Sequence, residues 1–363
     1  MKVMIVLGTR PELIKMQPVI KEIRNRRSFE FVFVHTGQHY DWNMSNIFIK
    51  ELELPEPDMF LKVGSGSQGY QTARIIAKSE SVLTKERPDI VLVEGDTNSA
   101  LGAAVAASKL RMNIGHVEAG CRSFDKNMPE EINRILLADL AAINFAPTET
   151  CVKNLLREGV SQSQICLSGH PIVDILRQVQ NRITEKTLEK FGLEPGEYYL
   201  ATVHREENVD NRIRLKNIMN ALSVVAESRP TIFPMHPRTF KSVRRFRIKS
   251  NPKNLIIVEP LGYLQTLSLI RHSRTVLTDS GGVQQEAALL GTPCITLRAS
   301  TEWVETVACG INFLAVSKDE IIAVTRSVEK NYDRIAKKFE LARKIFGEPH
   351  VATRIADSLE AFH

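Results

Sequence analysis

The chain has 363 residues, 43% of them hydrophobic and 25% charged, which excludes a disordered or fibrous protein and leaves room for two domains. The formal net charge is +6, but the densest basic group, Arg244-Arg245-Phe246-Arg247-Ile248-Lys249, reads as a solvated helix face, so no nucleic-acid partner is expected. Five cysteines, an odd number with no C-x-x-C pair, point to reduced thiols in a cytoplasmic protein, without a disulfide framework or a zinc cluster.

The first apolar run, residues 3–7, reads as a strand and is too short for a signal peptide or a membrane span. A helix opens at Pro11, a favoured first-turn position. Strand 31–35, helix 68–86, strand 90–93, Ala-rich helix 99–110 and strand 113–117 follow. Next come helix 132–140, strand 142–146, a helix capped by Thr148 and strand 165–167, which ends at Ser168-Gly169. The pattern then restarts. Strands are expected at 198–203, 231–234, 255–258, 276–278 and 294–297, with helices at 214–226, 283–290, 319–328 and 332–345. Strand–helix alternation with nearly continuous apolar strands means parallel sheets covered on both faces. Two such series predict an α/β protein of two doubly wound, Rossmann-like domains that meet near Gly169-His170-Pro171.

Ligands of such sheets bind where strands end. The first strand runs into Gly8-Thr9-Arg10-Pro11-Glu12-Leu13-Ile14-Lys15, a glycine turn with two cations, suited to an anion but by itself better read as a surface helix start. Strand 90–93 runs into Glu94-Gly95-Asp96, and strand 113–117 into Glu118-Ala119-Gly120. Glu130 and Glu131 open the helix that follows. Helix capping alone explains one acidic residue. Three groups, Asp96, Glu118 and Glu130 or Glu131, favour acid–base work, because crowded carboxylates have their pKa values pushed apart. His116-x-Glu118 has the spacing of a zinc-deaminase motif, but the required P-C-x-x-C is absent, so no metal is expected. In the second half His204 and His236 each follow a strand, with Arg238 beside His236. Ser280-Gly281-Gly282 exposes backbone N–H groups at a helix start, a favoured anion position, and Glu286 on that helix could accept ribose hydroxyls. A nucleoside diphosphate is the expected ligand.

Together, Gly8-Thr-Arg-Pro-Glu-x-Ile-Lys15, Gly95-Asp-Thr97, Gly115-His-Val-Glu-Ala-Gly120, Pro129-Glu-Glu-x-Asn-Arg134 and Thr278-Asp-Ser-Gly-Gly-Val-Gln284 resemble the non-hydrolysing UDP-N-acetylglucosamine 2-epimerases over nearly the whole chain. The resemblance implies a glycosyltransferase-B-type architecture with an interdomain cleft. Residues 1–169 would form the first domain, completed by a last helix at about 350–363, and residues 170–349 the UDP-binding domain. It implies a homodimer, a UDP-sugar substrate, no cofactor, and a role in supplying UDP-N-acetylmannosamine to cell-surface polymers. In the family, UDP leaves C1 as the C2 proton is lost, and re-adds to the resulting glycal with C2 inverted. By residue, Asp96, Glu118, Glu130 and His204 match the catalytic positions. Arg10, Lys15, Arg134, His236, Ser280, Gly281, Gly282 and Glu286 match nucleotide-sugar contacts. Glu130 is preferred to Glu131 because the family uses the first glutamate of Pro-Glu-Glu.

The chain also departs from the family. Arg298-Ala-Ser-Thr-Glu-Trp303-Val-Glu305 stands where R-D-T-T-E-R-P-E is common, so a tryptophan replaces an arginine expected at phosphate. This form is similar to the UDP-2,3-diacetamido-glucuronate 2-epimerases, which gives an alternative substrate. Gln38-His39-Tyr40-Asp41 differs from the Q-H-R-E loop at which bacterial members bind an activating second substrate. His170 stands where asparagine is usual. A hydrolysing epimerase and a glycosyltransferase are further readings. The acidic trio argues against simple transfer, which needs mainly one base, and against a non-catalytic sensor.

Overall fold

The computed structural model describes residues 1–38, 51–248 and 252–362. His39, Tyr40, Asp41 and Lys249 lie outside the described residues. Contacts divide the chain into two compact units: Met1–Gln178 with Phe346–His363, and Val179–Ile345.

In the first unit the apolar runs form strands β1 (Lys2–Leu7), β2 (Glu30–His35), β3 (Met59–Phe60), β4 (Ile90–Glu94), β5 (Asn113–Val117), β6 (Ile143–Ala146) and β7 (Ile165–Leu167). They make one sheet in the order β3-β2-β1-β4-β5-β6-β7, parallel throughout. Val3 to Leu7 and Ile90 to Val93 are almost fully buried, as expected for strands covered by helices on both faces. The chain winds outward from β1 to β3, then returns to the other side of β1 at β4. That reversal is the topological switch point, and it leaves a crevice at the carboxyl ends of β1 and β4.

The second unit repeats the winding. Strands β8 (Tyr199–Thr202), β9 (Thr231–Pro234), β10 (Leu255–Val258), β11 (Thr275–Thr278), β12 (Cys294–Thr296) and β13 (Asn312–Leu314) lie in the order β10-β9-β8-β11-β12-β13. Its switch point is between β8 and β11, paired from Thr275↔Tyr199 to Thr278↔Thr202. Both units are thus doubly wound and Rossmann-like. No helix among the described residues is long and apolar enough to cross a membrane.

Several short elements were not anticipated from the sequence. Met59–Phe60 and Asn312–Leu314 are edge strands of two and three residues, below the length at which alternation is visible. Helices Ile172–Val179 and Lys186–Phe191 fill a stretch for which no element was expected. The expected helix 332–345 is two short ones, Tyr332–Ala336 and Phe339–Ala342.

The last helix, Val351–Phe362, belongs to the first unit. Val351, Ala352, Ile355, Ala356 and Leu359 are buried along one stripe, at the spacing of an amphipathic helix. It packs on the helix Arg10–Asn25, where Arg26 pairs with Asp357 at 2.6 Å and Glu360 at 3.2 Å. Asp174 accepts the backbone N–H groups of His350 at 2.7 Å and Ala352 at 2.8 Å, satisfying donors that a helix start leaves unpaired. Asp174→Ala should therefore lower unfolding stability by about 1–2 kcal/mol, read as an earlier urea midpoint. An unchanged midpoint would show that the last helix is held without this cap.

Candidate active site

The carboxyl end of β1 is shaped by small groups and one buried acid. A side chain at Gly8 would run into Ser99 Oγ at 2.0 Å and Thr36 Oγ1 at 2.1 Å, so the turn needs glycine. Glu12 reaches back to the N–H groups of Gly8 and Thr9, at 2.9 and 2.7 Å, and accepts Thr97 Oγ1 at 2.8 Å. This caps the helix Arg10–Asn25 and fixes Lys15 on its inner side. Arg10 opens the same helix and is partly exposed.

The resemblance implies a nucleotide-sugar contact for Lys15. Its ammonium donates to Glu94 Oε1 at 2.8 Å and Glu118 Oε2 at 2.5 Å. Glu94 ends β4 and Glu118 follows β5, and Glu94 pairs with Val117 in the sheet, so neighbouring strand ends deliver both acids. His170 Nε2 meets the same Glu118 oxygen at 2.5 Å. The four groups are buried or nearly so. Burial opposes the Glu118 charge, but Lys15 and His170 outweigh it and hold the carboxyl well below the usual range. Burial pushes the Glu94 carboxyl well up, against the pull of Lys15, and the neighbouring Glu118 charge adds to the rise. Burial likewise opposes the Lys15 charge, yet Glu118 and Glu94 raise its pKa. Burial lowers His170 despite Glu118. The two buried acids are thereby pushed apart in proton affinity, Glu118 down and Glu94 up. Glu94, Glu118 and His170 place donor atoms within 4.8 Å of one another, a spacing a cation could use. Here Lys15 supplies the positive charge to both acids.

Glu118 has φ +68°, a left-handed conformation that costs a non-glycine residue about 1–3 kcal/mol and is found where function dictates geometry. Its Oε1 looks toward the Gly95 turn, 3.9 Å from where a Gly95 side chain would begin. Asp96 comes next in that turn and is paired with Arg134 at 2.6 Å. Asn133 Nδ2 donates to the Asp96 carbonyl at 2.8 Å, and His116 Nε2 lies 2.8 Å from the Gly95 carbonyl. The two glutamates of Pro129-Glu-Glu behave differently. Glu131 is buried and accepts Ser123 N and Oγ, Phe124 N and Arg134. Burial opposes its charge, but these donors hold it below the usual carboxylate range. Glu130 sits half-buried in the same first turn.

In the second unit, buried Asp279 accepts the N–H groups of His204 at 3.0 Å and Arg205 at 2.9 Å, and Asn208 Nδ2 at 2.9 Å. The end of β11 thus ties down the loop after β8. His204 and His236 have ring centroids 5.7 Å apart, and His236 Nδ1 accepts Arg238 N–H at 3.2 Å as a helix cap. Ser280 caps the helix Gly281–Leu290, which ends at Gly291 in the left-handed region. Glu286 is buried on that helix. A side chain at Gly281 would meet Glu302 Oε1 at 2.3 Å. Glu302 in turn is paired with Arg298 at 2.9 Å and lies 3.8 Å from Arg205. Trp303, expected to leave the site a charge short, is 1% exposed. Its Nε1 is 3.5 Å from the would-be Gly281 side chain. It packs behind the helix start, and the guanidinium groups nearby are those of Arg205 and Arg298.

The structure therefore gathers Lys15 with Glu118, Asp96 with Arg134, and His204 with His236, and sets Ser280, Gly281 and Gly282 at one helix start. Glu94, His170, Asp279, Arg205 and Glu302 were not singled out as site residues. Glu94 carried a signal, since a carboxylate ended an otherwise apolar strand. His170 and Glu302 were visible only as motif letters, because their partners are distant in sequence.

Carboxylates gathered at the strand ends of a doubly wound sheet sit where such folds place their ligand sites, and comparison gives the family. Residues 21–360 match the model of the UDP-N-acetylglucosamine 2-epimerase family. The chain is 45% identical over 365 residues to a UDP-N-acetylglucosamine 2-epimerase homolog of Methanococcus maripaludis, covering 99% of both. It is 39% identical to the UDP-2,3-diacetamido-2,3-dideoxy-D-glucuronate 2-epimerase of Pseudomonas aeruginosa, with 99% of both covered. A crystal structure of the Methanocaldococcus jannaschii UDP-GlcNAc 2-epimerase in complex with UDP-GlcNAc and UDP superposes with a TM-score of 0.89, at 42% identity, covering 99% of this chain and 100% of that one. The chain belongs to the UDP-N-acetylglucosamine 2-epimerase family and is an isomerase.

Burial holds His116 down to about 4, although the Gly95 carbonyl favours its proton. An unfolded histidine takes its proton below about 6.5. As pH falls from about 6.5 toward 4, the unfolded state binds the extra proton and stability drops, by up to about 1.4 kcal/mol per pH unit for one group. His116→Gln, whose amide can still reach the Gly95 carbonyl, should flatten the slope of urea-unfolding stability between about pH 6 and 5 by that order. An unchanged slope would mean that His116 is not buried neutral.

Proposed function

We propose that the protein interconverts UDP-N-acetylglucosamine and UDP-N-acetylmannosamine by elimination and re-addition of UDP. The observation that carries this reading is the pair of acids at adjacent strand ends, Glu118 held by Lys15 and Asp96 held by Arg134. The relative crystallised with UDP-GlcNAc and UDP supports a UDP-sugar substrate here.

One carboxylate takes the C2 proton, the C1–O bond breaks, and its electron pair leaves with UDP, giving a 2-acetamidoglucal. A second acid of the trio, entering the cycle with a proton, delivers that proton to the other face of C2 while the UDP oxygen re-forms the bond to C1. Atoms and electrons balance without a redox cofactor. The second unit has the features a departing anion needs. N–H groups and the helix dipole at Ser280-Gly281-Gly282 stabilise negative charge by about 0.3–2 kcal/mol. His204, fixed by Asp279, and His236 supply hydrogen-bond donors. We assign the acid–base role to Asp96, Glu118 and Glu130, and nucleotide contacts to Arg10, His236, Ser280, Gly281, Gly282 and Glu286. Lys15 and Arg134, also assigned to nucleotide-sugar contacts, hold Glu118 and Asp96 in place.

Incubation with UDP-N-acetylglucosamine in D2O should place deuterium at C2 and yield both epimers still attached to UDP, followed by NMR. Exchange only with the diacetamido uronate would move the substrate to that sugar. Free sugar as the main product would mean hydrolysis. Asp96→Asn and Glu118→Gln should each lower kcat by about 10²–10⁴ while UDP still binds. Near-normal turnover in both variants would sink the carboxylate assignment.

A further inference from the structure

His170 has no place in the proposed chemistry, yet it is completely buried against one of its acids. Its Nδ1 accepts the Ile172 N–H at 3.0 Å. A ring nitrogen that accepts carries no proton in neutral imidazole, so the proton sits on Nε2. The 2.5 Å contact to Glu118 Oε2 is therefore a hydrogen bond donated by His170. The ring cannot easily turn away. The His170 backbone N–H donates to the Phe346 carbonyl at 2.8 Å, and the Phe346 ring stands edge-on to the imidazole, 6.1 Å between centroids.

Lys15 bonds the same oxygen at 2.5 Å. Oε2 thus takes two donors, from the helix Arg10–Asn25 on one side and from the segment after β7 on the other. Oε1 is left toward the Gly95–Asp96 turn. The left-handed backbone of Glu118 makes this anchoring necessary, because relaxation of that strain would swing the carboxylate off its line.

We propose that His170 is a positioning residue: donation from its Nε2 pins one oxygen of Glu118 and presents the other to the substrate. The proposal rests on the epimerase reading of that carboxylate. An asparagine amide nitrogen ends at the level of Nδ1 and stops short of Glu118, whereas the glutamine amide nitrogen reaches the level of Nε2.

The test compares His170→Gln, His170→Asn and His170→Leu in the full-length enzyme. Asn and Leu should lower kcat for C2 exchange by about 10–100-fold, the worth of a hydrogen bond to a charged group, with KM little changed, and Gln should recover most of the rate. A role in packing alone would make Gln no better than Asn, and that result overturns the proposal. A second readout needs no turnover. In protein labelled with ¹⁵N-histidine, the signal lost in His170→Gln should be of the Nε2–H form, with a far-downfield proton that moves in Glu118→Gln. An Nδ1–H form would overturn the hydrogen bond itself. Wild-type protein that keeps this signal but exchanges C2 of no UDP-sugar would instead refute the epimerase reading, and the positioning role with it.

Discussion

The first unit is organised around an ammonium between two buried acids, Lys15 at 2.8 Å from Glu94 and 2.5 Å from Glu118. An isolated ionised carboxylate at that depth costs far more than folding can supply, and it would take a proton instead. Lys15 lets one acid stay ionised, while burial and the neighbouring charge push the second, Glu94, toward its neutral form. Such an arrangement is marginal for stability and valuable for chemistry, because removing any one member leaves another uncompensated.

Its assembly depends on topology. Lys15 follows β1, Glu94 ends β4, Glu118 follows β5 and His170 follows β7. The return of the chain from β3 to β4 brings the first two together at the switch point, and parallel register sets the third beside them. The second unit uses the same winding for a different end. There Asp279 after β11 spends its oxygens on the loop after β8, which fixes His204. Gly281 admits Glu302, held by Arg298, close against the helix start. One unit builds a charged acid–base cluster at its switch point, and the other builds a polar frame around a helix N-terminus.

Much of this was legible in the sequence. The apolar runs gave both parallel sheets, and reading just past each strand found Asp96, Glu118, His204 and Ser280 without knowledge of their contacts. Local caps such as Ser280 and Thr148 were legible because their partners lie a few residues away. What stayed hidden depends on long-range pairing. Nothing local reveals that Lys15 meets Glu118, 103 residues later. Trp303 read as a missing charge, whereas it is buried packing and Arg205, from another loop, lies near Glu302. The edge strands Met59–Phe60 and Asn312–Leu314 were too short to show a period.

The most direct test of this electrostatic core is the protonation state of Glu118 itself. In protein carrying ¹³C-labelled glutamate, the Glu118 side-chain carboxyl signal can be identified by its loss in Glu118→Gln and followed against pH. It should keep the ionised position down to about pH 4, below the ordinary glutamate midpoint of about 4.3, and move upward in midpoint in Lys15→Met. A wild-type midpoint between about pH 5 and 7, well above that ordinary value, would contradict a Glu118 held ionised by Lys15 and His170.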